Sequence, residues 1–268
     1  MLPGKLSRSS IGFSLHHPRL AFQLLTGHLS YEEVLRELIS QDLQLLRNRI
    51  GSIPHWRNIL ELPQESIEEV LRLVIPGSQE SRFGKLNRWH AFLYAITNSL
   101  RPKIVVETGV LYGHSSAAVL GALEDNGTGV LVSLDLPTME HQSTIVDGKY
   151  IQVGLNSDRL SVGCAVPLIL RSRWSLRLGN SLDLLPKILG EVGPISMFIH
   201  DSLHRYDHMM AEFHLGYNAL EPRGVLVSDD IGYNSAWSDF CESNKENWKG
   251  ISKYREAHDK FAFLVKSQ

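Results

Sequence analysis

The sequence predicts an α/β protein: a doubly wound, mostly parallel sheet preceded by an N-terminal helical extension. Three observations predict it. From Lys103 onward, short apolar runs alternate with segments of helical period, the mark of parallel strands joined by crossover helices. A glycine-rich turn follows the first run and opens a helix. Upstream of Lys103 the pattern is helical, with no comparable runs.

Residues 1 to about 30 read as an irregular arm. Ser30 followed by Glu33 is a capping-box pattern, opening a helix that places Val34, Leu35, Leu38, Ile39, Leu45 and Leu46 on one side. Pro54 and Pro63 punctuate the next stretch. Ser66 with Glu69 repeats the capping signal and predicts a second helix through Val70, Leu71 and Val74, ending near Pro76-Gly77. A third helix is expected from Leu86 to Ser99. Residues 1–85 thus form an arm and helical cap, and 86–268 the main domain.

The predicted strands are Ile104–Glu107, Val130–Leu134, Leu176–Leu178, Ile195–His200, Val225–Ser228 and Phe261–Val265, with Ile251–Tyr254 as partner of the last. Together they make a seven-stranded sheet. Helices are expected over Ser115–Leu123, Leu182–Leu189 and Arg205–Leu220. The stretch from Leu136 to Ser172 is long for a connection and lacks a clear period, so a short helix and a loop over the active site are expected there.

Composition limits the function classes. Of 268 residues, 43% are hydrophobic and 21% charged, and the formal net charge is −2, which gives no polyanion-binding surface. Arg171, Arg173 and Arg177, broken by Trp174 and Leu176, read as an edge strand or solvated face rather than a nucleic-acid patch. The two cysteines, Cys164 and Cys241, form no framework and suit a reducing cytoplasm. Gly12, Ser14 and Pro18 break the apolar stretch after Lys5 and Arg8 before it becomes a signal-peptide core. No run approaches the ~20 apolar residues of a membrane span. A cytoplasmic protein without nucleic-acid or membrane partners is expected.

Glu107-Thr108-Gly109-Val110-Leu111-Tyr112-Gly113-His114-Ser115 combines strand, turn and helix start. Glycines there let a ligand approach the backbone, and the helix N-terminus offers free N–H groups. On open α/β sheets such ligands bind beyond the carboxyl ends of the strands, where strand order reverses. Asp135, after the second strand, reads as an acceptor for ribose hydroxyls or as a turn aspartate before Pro137. Asn180-Ser181, after Gly179, reads as a pocket wall or as a helix cap.

Farther on, Asp201 ends the fourth strand with His204 three residues later, and Asp229-Asp230 end the fifth. If those strands are neighbours, three carboxylates converge and would repel one another without a cation between them; oxygen ligands suit Mg²⁺, Mn²⁺ or Ca²⁺. The plainer alternative is that Asp201 caps a helix and the aspartate pair forms a turn.

The first of these motifs resembles the ExGxxxGxS motif of catechol-type O-methyltransferases. The blocks Gly179–Leu189, Ile199–Tyr206 and Gly224–Asp230 follow at similar spacing, and the likeness extends to macrocin-type sugar O-methyltransferases. It covers residues 80 to 266. It implies a Rossmann-like class I fold, with S-adenosylmethionine held by Glu107, Gly109, Gly113, Ser115 and Asp135; Asn180 and Ser181 after the third strand, and His200 at the end of the fourth, are candidates to flank the cofactor by their own positions. It also implies a cation on Asp201, Asp229 and Asp230. His204 occupies the place of the catechol-type lysine base, with His208 in reserve. Asp230 departs from the asparagine of the catechol type. The expected acceptor is a small hydroxylated molecule, a sugar or a phenol. Trp89, Tyr150 and Trp174 are candidate pocket walls, Asn234 a candidate acceptor contact, and the N-terminal helices a surface for self-association. Two alternatives remain: a cephalosporin-hydroxylase-like enzyme on the same fold, and a non-catalytic cofactor-binding module.

Overall fold

The computed structural model describes residues 17–53, 56–75, 86–137, 142–146, 149–153, 160–252 and 260–267, with 142–146 and 149–153 known by backbone alone. The first sixteen residues, Pro54, Pro76-Gly77, the Tyr150 side chain and Tyr254 lie outside this description.

The expected irregular arm contains a helix, α1 (Pro18–Leu25). Proline at the first helical position carries a preset φ and loses no needed donor. Leu20 then buries against Val34 and Leu38 of α2 (Tyr31–Gly51). The α2 capping box is real: Glu33 N–H donates to Ser30 Oγ at 3.3 Å, and Ser30 N–H donates to Glu33 Oε2 at 2.7 Å. The second expected cap is not. Helix α3 (Gln64–Val74) starts two residues ahead of Ser66 with Pro63 at its N-cap, because the Pro63 carbonyl already accepts from the Ser66 and Ile67 amides. Helix α4 (Arg88–Leu100) opens on an Asn87–His90 capping box.

The sheet is built from β1 (Ile104–Thr108), β2 (Val130–Asp135), β5 (Trp174–Leu178), β6 (Ile195–His200), β7 (Leu220–Ser228), β8 (Trp248–Ser252) and β9 (Lys260–Val265). Its order is β5-β2-β1-β6-β7-β9-β8, parallel from β5 to β7 and antiparallel at β9 and β8. This is the mostly parallel, doubly wound, seven-stranded sheet that the sequence predicts. Strand β5 begins earlier than expected, at Trp174, and β7 at Leu220, where pairing with β6 shifts register between Ile195 and Met197. The 136–172 stretch holds an antiparallel pair, β3 (Gln142–Val146) and β4 (Lys149–Val153), and a 3₁₀ turn at Leu168–Arg173. The hairpin was not anticipated, since that stretch shows no clear apolar period.

One face of the sheet is covered by α5 (His114–Asn126) together with α2, α3 and α4, in a core that includes Ile39, Leu43, Phe92, Leu120 and Phe263. The other face is covered by α6 (Ser181–Val192), α7 (Tyr206–Ala219) and α8 (Ala236–Asn244), around Phe198, Phe213, Trp237 and Phe240. Side-chain alternation along each strand sends odd residues of β1 to one face and even residues to the other. Within the arginine cluster, Arg173 pairs with Glu124 at 2.8 Å, and Arg171 donates to the Val166 and Gly163 carbonyls beside edge strand β5. Among the described residues no helix is long and apolar enough to cross a membrane.

Candidate active site

Strand β1 lies between β2, which follows it in the chain, and β6, which comes much later, so strand order reverses there. The rim beyond Thr108 and His200 is therefore the binding crevice this topology provides. The Asp201 amide donates to the Thr108 carbonyl at 2.8 Å, and the Asp229 amide to the His200 carbonyl at 3.0 Å, so the loops after β1, β6 and β7 form one edge.

Gly109 (φ +86°) and Gly113 (φ +89°) take left-handed conformations open to glycine. The close approach they permit is to protein. A Cβ on Gly109 would lie 1.9 Å from the Asp201 carbonyl oxygen, and one on Gly113 would lie 2.7 Å from Val166 Cγ2. The glycines let the rim loops interlock around the N-terminus of α5.

Glu107 is fully buried on the α5 face. Its Oε2 accepts from Ser116 Oγ at 2.6 Å and Ser133 Oγ at 2.7 Å, while Oε1 is buried with no hydrogen-bond partner among the described residues. Burial pushes its carboxyl above the ordinary range; Ser116, Ser115 and Ser133 oppose that shift and the Asp135 charge adds to it. Trp174 supports this acid, its indole donating to Ser133 Oγ at 2.9 Å. Asp135 closes the glycine turn: its Oδ2 accepts from the Val110 and Leu111 amides at 2.9 and 2.7 Å. Leu111 adopts φ +50° there, strained for a leucine. His114 begins α5 beside His90 and Tyr112, and burial lowers its pKa to about 4.

On the opposite face, the reading from sequence missed Glu212. It has no exposed surface, and its carboxylate accepts from Thr108 Oγ1 at 2.5 Å, Ser202 Oγ at 2.9 Å and Ser181 Oγ, besides pairing with His200 Nδ1 at 2.7 Å and His208 Nε2 at 2.8 Å. Burial alone would raise its pKa; the His200 and His208 contacts outweigh that and hold it far below the carboxylate range. The signal was present. In α7, Met209, Glu212, Phe213 and Gly216 share the buried face, so an acid stood at a core position.

Ser181 belongs to this network, and Asn180 caps α6 by accepting from the Leu182 amide at 2.9 Å. His208, the reserve base, is likewise engaged. His204 is half-buried, stacked on Tyr233 at 5.4 Å and edge-on to His200 at 5.4 Å. Asn234 serves the rim backbone, donating to the His204 carbonyl and accepting from the Ala236 amide. Asp201 lies on the other side of the sheet edge, where its Oδ2 accepts from Trp89 Nε1 at 3.2 Å. Asp229 is buried at the end of β7, and Asp230 follows it with φ +49°. Among the described residues, no group of three or more His, Cys, Asp or Glu side chains is disposed to hold a metal ion.

Sheet order and the rim at its reversal define a Rossmann-like fold of the class I methyltransferase type. A family profile described as a methyltransferase domain matches residues 106–231, a little under half of the chain; the protein is a methyltransferase. The fold is similar to TomG from Streptomyces achromogenes, an O-methyltransferase of tomaymycin synthesis solved with SAM (14% identity, 77% of this chain and 100% of that one, TM-score 0.53). It is also similar to a putative O-methyltransferase from Klebsiella pneumoniae (15% identity, 85% of this chain and 97% of that one, TM-score 0.51). No curated protein matches the sequence.

Proposed function

We propose that the protein transfers a methyl group from S-adenosylmethionine to a hydroxyl of a small acceptor, a sugar or a phenol. The observation that carries this reading is Glu107. A fully buried carboxylate oxygen without a hydrogen-bond partner among the described residues, beside a left-handed glycine turn at the reversal of strand order, matches the need of a cationic amine for an acceptor. Bound cofactor supplies an electrophilic methyl group on a sulfonium.

The chain's own residues do the rest. Glu107 and the 109–113 turn receive the amino-acid end, with Ser115 at the first turn of α5. Asp135 binds the ribose, exchanging a loop amide for a hydroxyl. His200 flanks the cofactor. His204 takes the acceptor proton; its contact with Tyr233 restricts the ring plane, and Asp201 orients the acceptor. Asn180 and Ser181 act indirectly, through the cap of α6 and the Glu212 network.

Metal assistance by Asp201, Asp229 and Asp230 is a separate reading, supported by their places at the ends of adjacent strands β6 and β7. No step above depends on it. Helices α1, α2 and α3 serve as a cap and as the surface through which copies associate, and the enzyme works in the cytoplasm.

Calorimetric titration of S-adenosylmethionine and S-adenosylhomocysteine, with and without EDTA, tests the assignment. Micromolar binding is expected, followed by transfer of labelled methyl to hydroxylated acceptors. No binding of either ligand would overturn it, and turnover abolished by EDTA would favour the metal reading.

A further inference from the structure

We propose that Glu212 is a positioning residue: it fixes His200 as the Nδ1–H tautomer, so that this ring presents its Nε2 lone pair as an acceptor at the strand ends. An ionised carboxylate only accepts, so each nitrogen in contact with it must carry the proton. His200 Nδ1 and His208 Nε2 meet its two oxygens, at 2.7 Å to Oε2 and 2.8 Å to Oε1. Hydroxyls of Thr108, Ser181 and Ser202 donate to the same group, which leaves no room for a proton on Glu212 itself. The low pKa of Glu212 agrees with that geometry.

The other nitrogen of His200, Nε2, is buried without a hydrogen-bond partner among the described residues. His200 lies in register between Thr108 of β1 and Ser228 of β7, at the reversal of strand order. A bare buried acceptor in that position calls for a donor. On the reading that the site binds S-adenosylmethionine, that donor is an O–H or N–H of the cofactor. Glu212 thereby links three rim elements, β1, the loop after β6 and the start of α6, to the tautomer of one ring.

Histidine ring-nitrogen NMR of the whole protein tests this without turnover. The expected spectrum has a protonated Nδ1 and a bare Nε2 at His200, and a protonated Nε2 at His208. In Glu212→Gln, the amide offers one oxygen and one NH₂, so only one of the two rings can keep its proton toward residue 212; the other changes tautomer. A protonated Nε2 at His200, or ring-nitrogen signals unchanged in Glu212→Gln, would overturn the proposal. If that variant does not fold, the wild-type spectrum decides alone. Titration with S-adenosylhomocysteine should then move the His200 Nε2 signal. Calorimetric binding that leaves this signal in place overturns the donor assignment alone. Absence of binding overturns it together with the proposed function, while the tautomer stands on its own spectrum.

Discussion

The Trp89 indole donates to Asp201 Oδ2 at 3.2 Å, joining residues 112 positions apart and tying helix α4 to the rim after β6. The same ring packs on Phe92 and Phe261, so the bond sits at the edge of an aromatic cluster. Trp89→Phe keeps that packing and removes the donor. Stability should fall by about 0.5–1.5 kcal/mol, the net worth of one hydrogen bond, as read by denaturant titration. Turnover should fall with it, because Asp201 loses its orientation, while cofactor affinity stays within a few-fold. An unchanged midpoint and rate would show the contact to be idle.

Gly109→Ala tests the interlocked rim. A methyl group 1.9 Å from the Asp201 carbonyl, on a backbone at φ +86°, cannot be absorbed by side-chain movement. A loss of ~3 kcal/mol or more is expected, with cofactor binding abolished. Gly127→Ala is the control. It has φ +69° but open space around its Cβ, so it should cost only about 1–2 kcal/mol. Equal losses in the two variants would mean that strain, rather than the contact with Asp201, dominates at Gly109.

The fold was largely legible because strand and helix periods in the main domain are strong and punctuated; Ile195–His200, for instance, is found at the expected bounds. The misses have physical causes. A proline at the start of α1 opened a helix where only an arm was expected, and Pro63 displaced the Ser66 cap. In the site, strand-end positions such as Glu107, Asp135 and Asp201 were visible because they follow apolar runs. Partners were not: sequence spacing does not tell that Asp135 turns back to amides 110 and 111, or that Trp89 reaches Asp201. Glu212 escaped notice because it lies in mid-helix, away from any glycine turn or strand end.

His114 predicts a pH dependence of stability. Burial lowers its folded pKa from the ordinary 6.5 to about 4, so between these values the unfolded chain binds more protons. Stability should therefore be complete above about pH 6.5 and decline as pH falls toward about 4, by roughly 1–3 kcal/mol given the ring's partial exposure. His114→Gln should flatten that part of the curve in urea titrations across the range. A slope unchanged in the variant would assign the acid sensitivity to other groups.

Glu107 carries the sharpest separation of stability from function. Its folded pKa is raised, so the folded state holds a proton that the unfolded carboxylate has given up, and stability declines as pH rises above the ordinary carboxylate range. Glu107→Gln removes that penalty while keeping the shape. At neutral pH the free variant should be as stable as the wild type or more so, yet bind S-adenosylmethionine at least ~10-fold more weakly, since a charge-assisted hydrogen bond to the amine is lost. A purely structural glutamate would give the opposite pair of results: lower stability, because a neutral amide oxygen accepts from the Ser116 and Ser133 hydroxyls more weakly than a carboxylate does, and unchanged affinity. Measuring the urea midpoint and the calorimetric Kd on the same preparation separates the two, and only weaker binding at undiminished stability makes Glu107 the acceptor for the cofactor's amine.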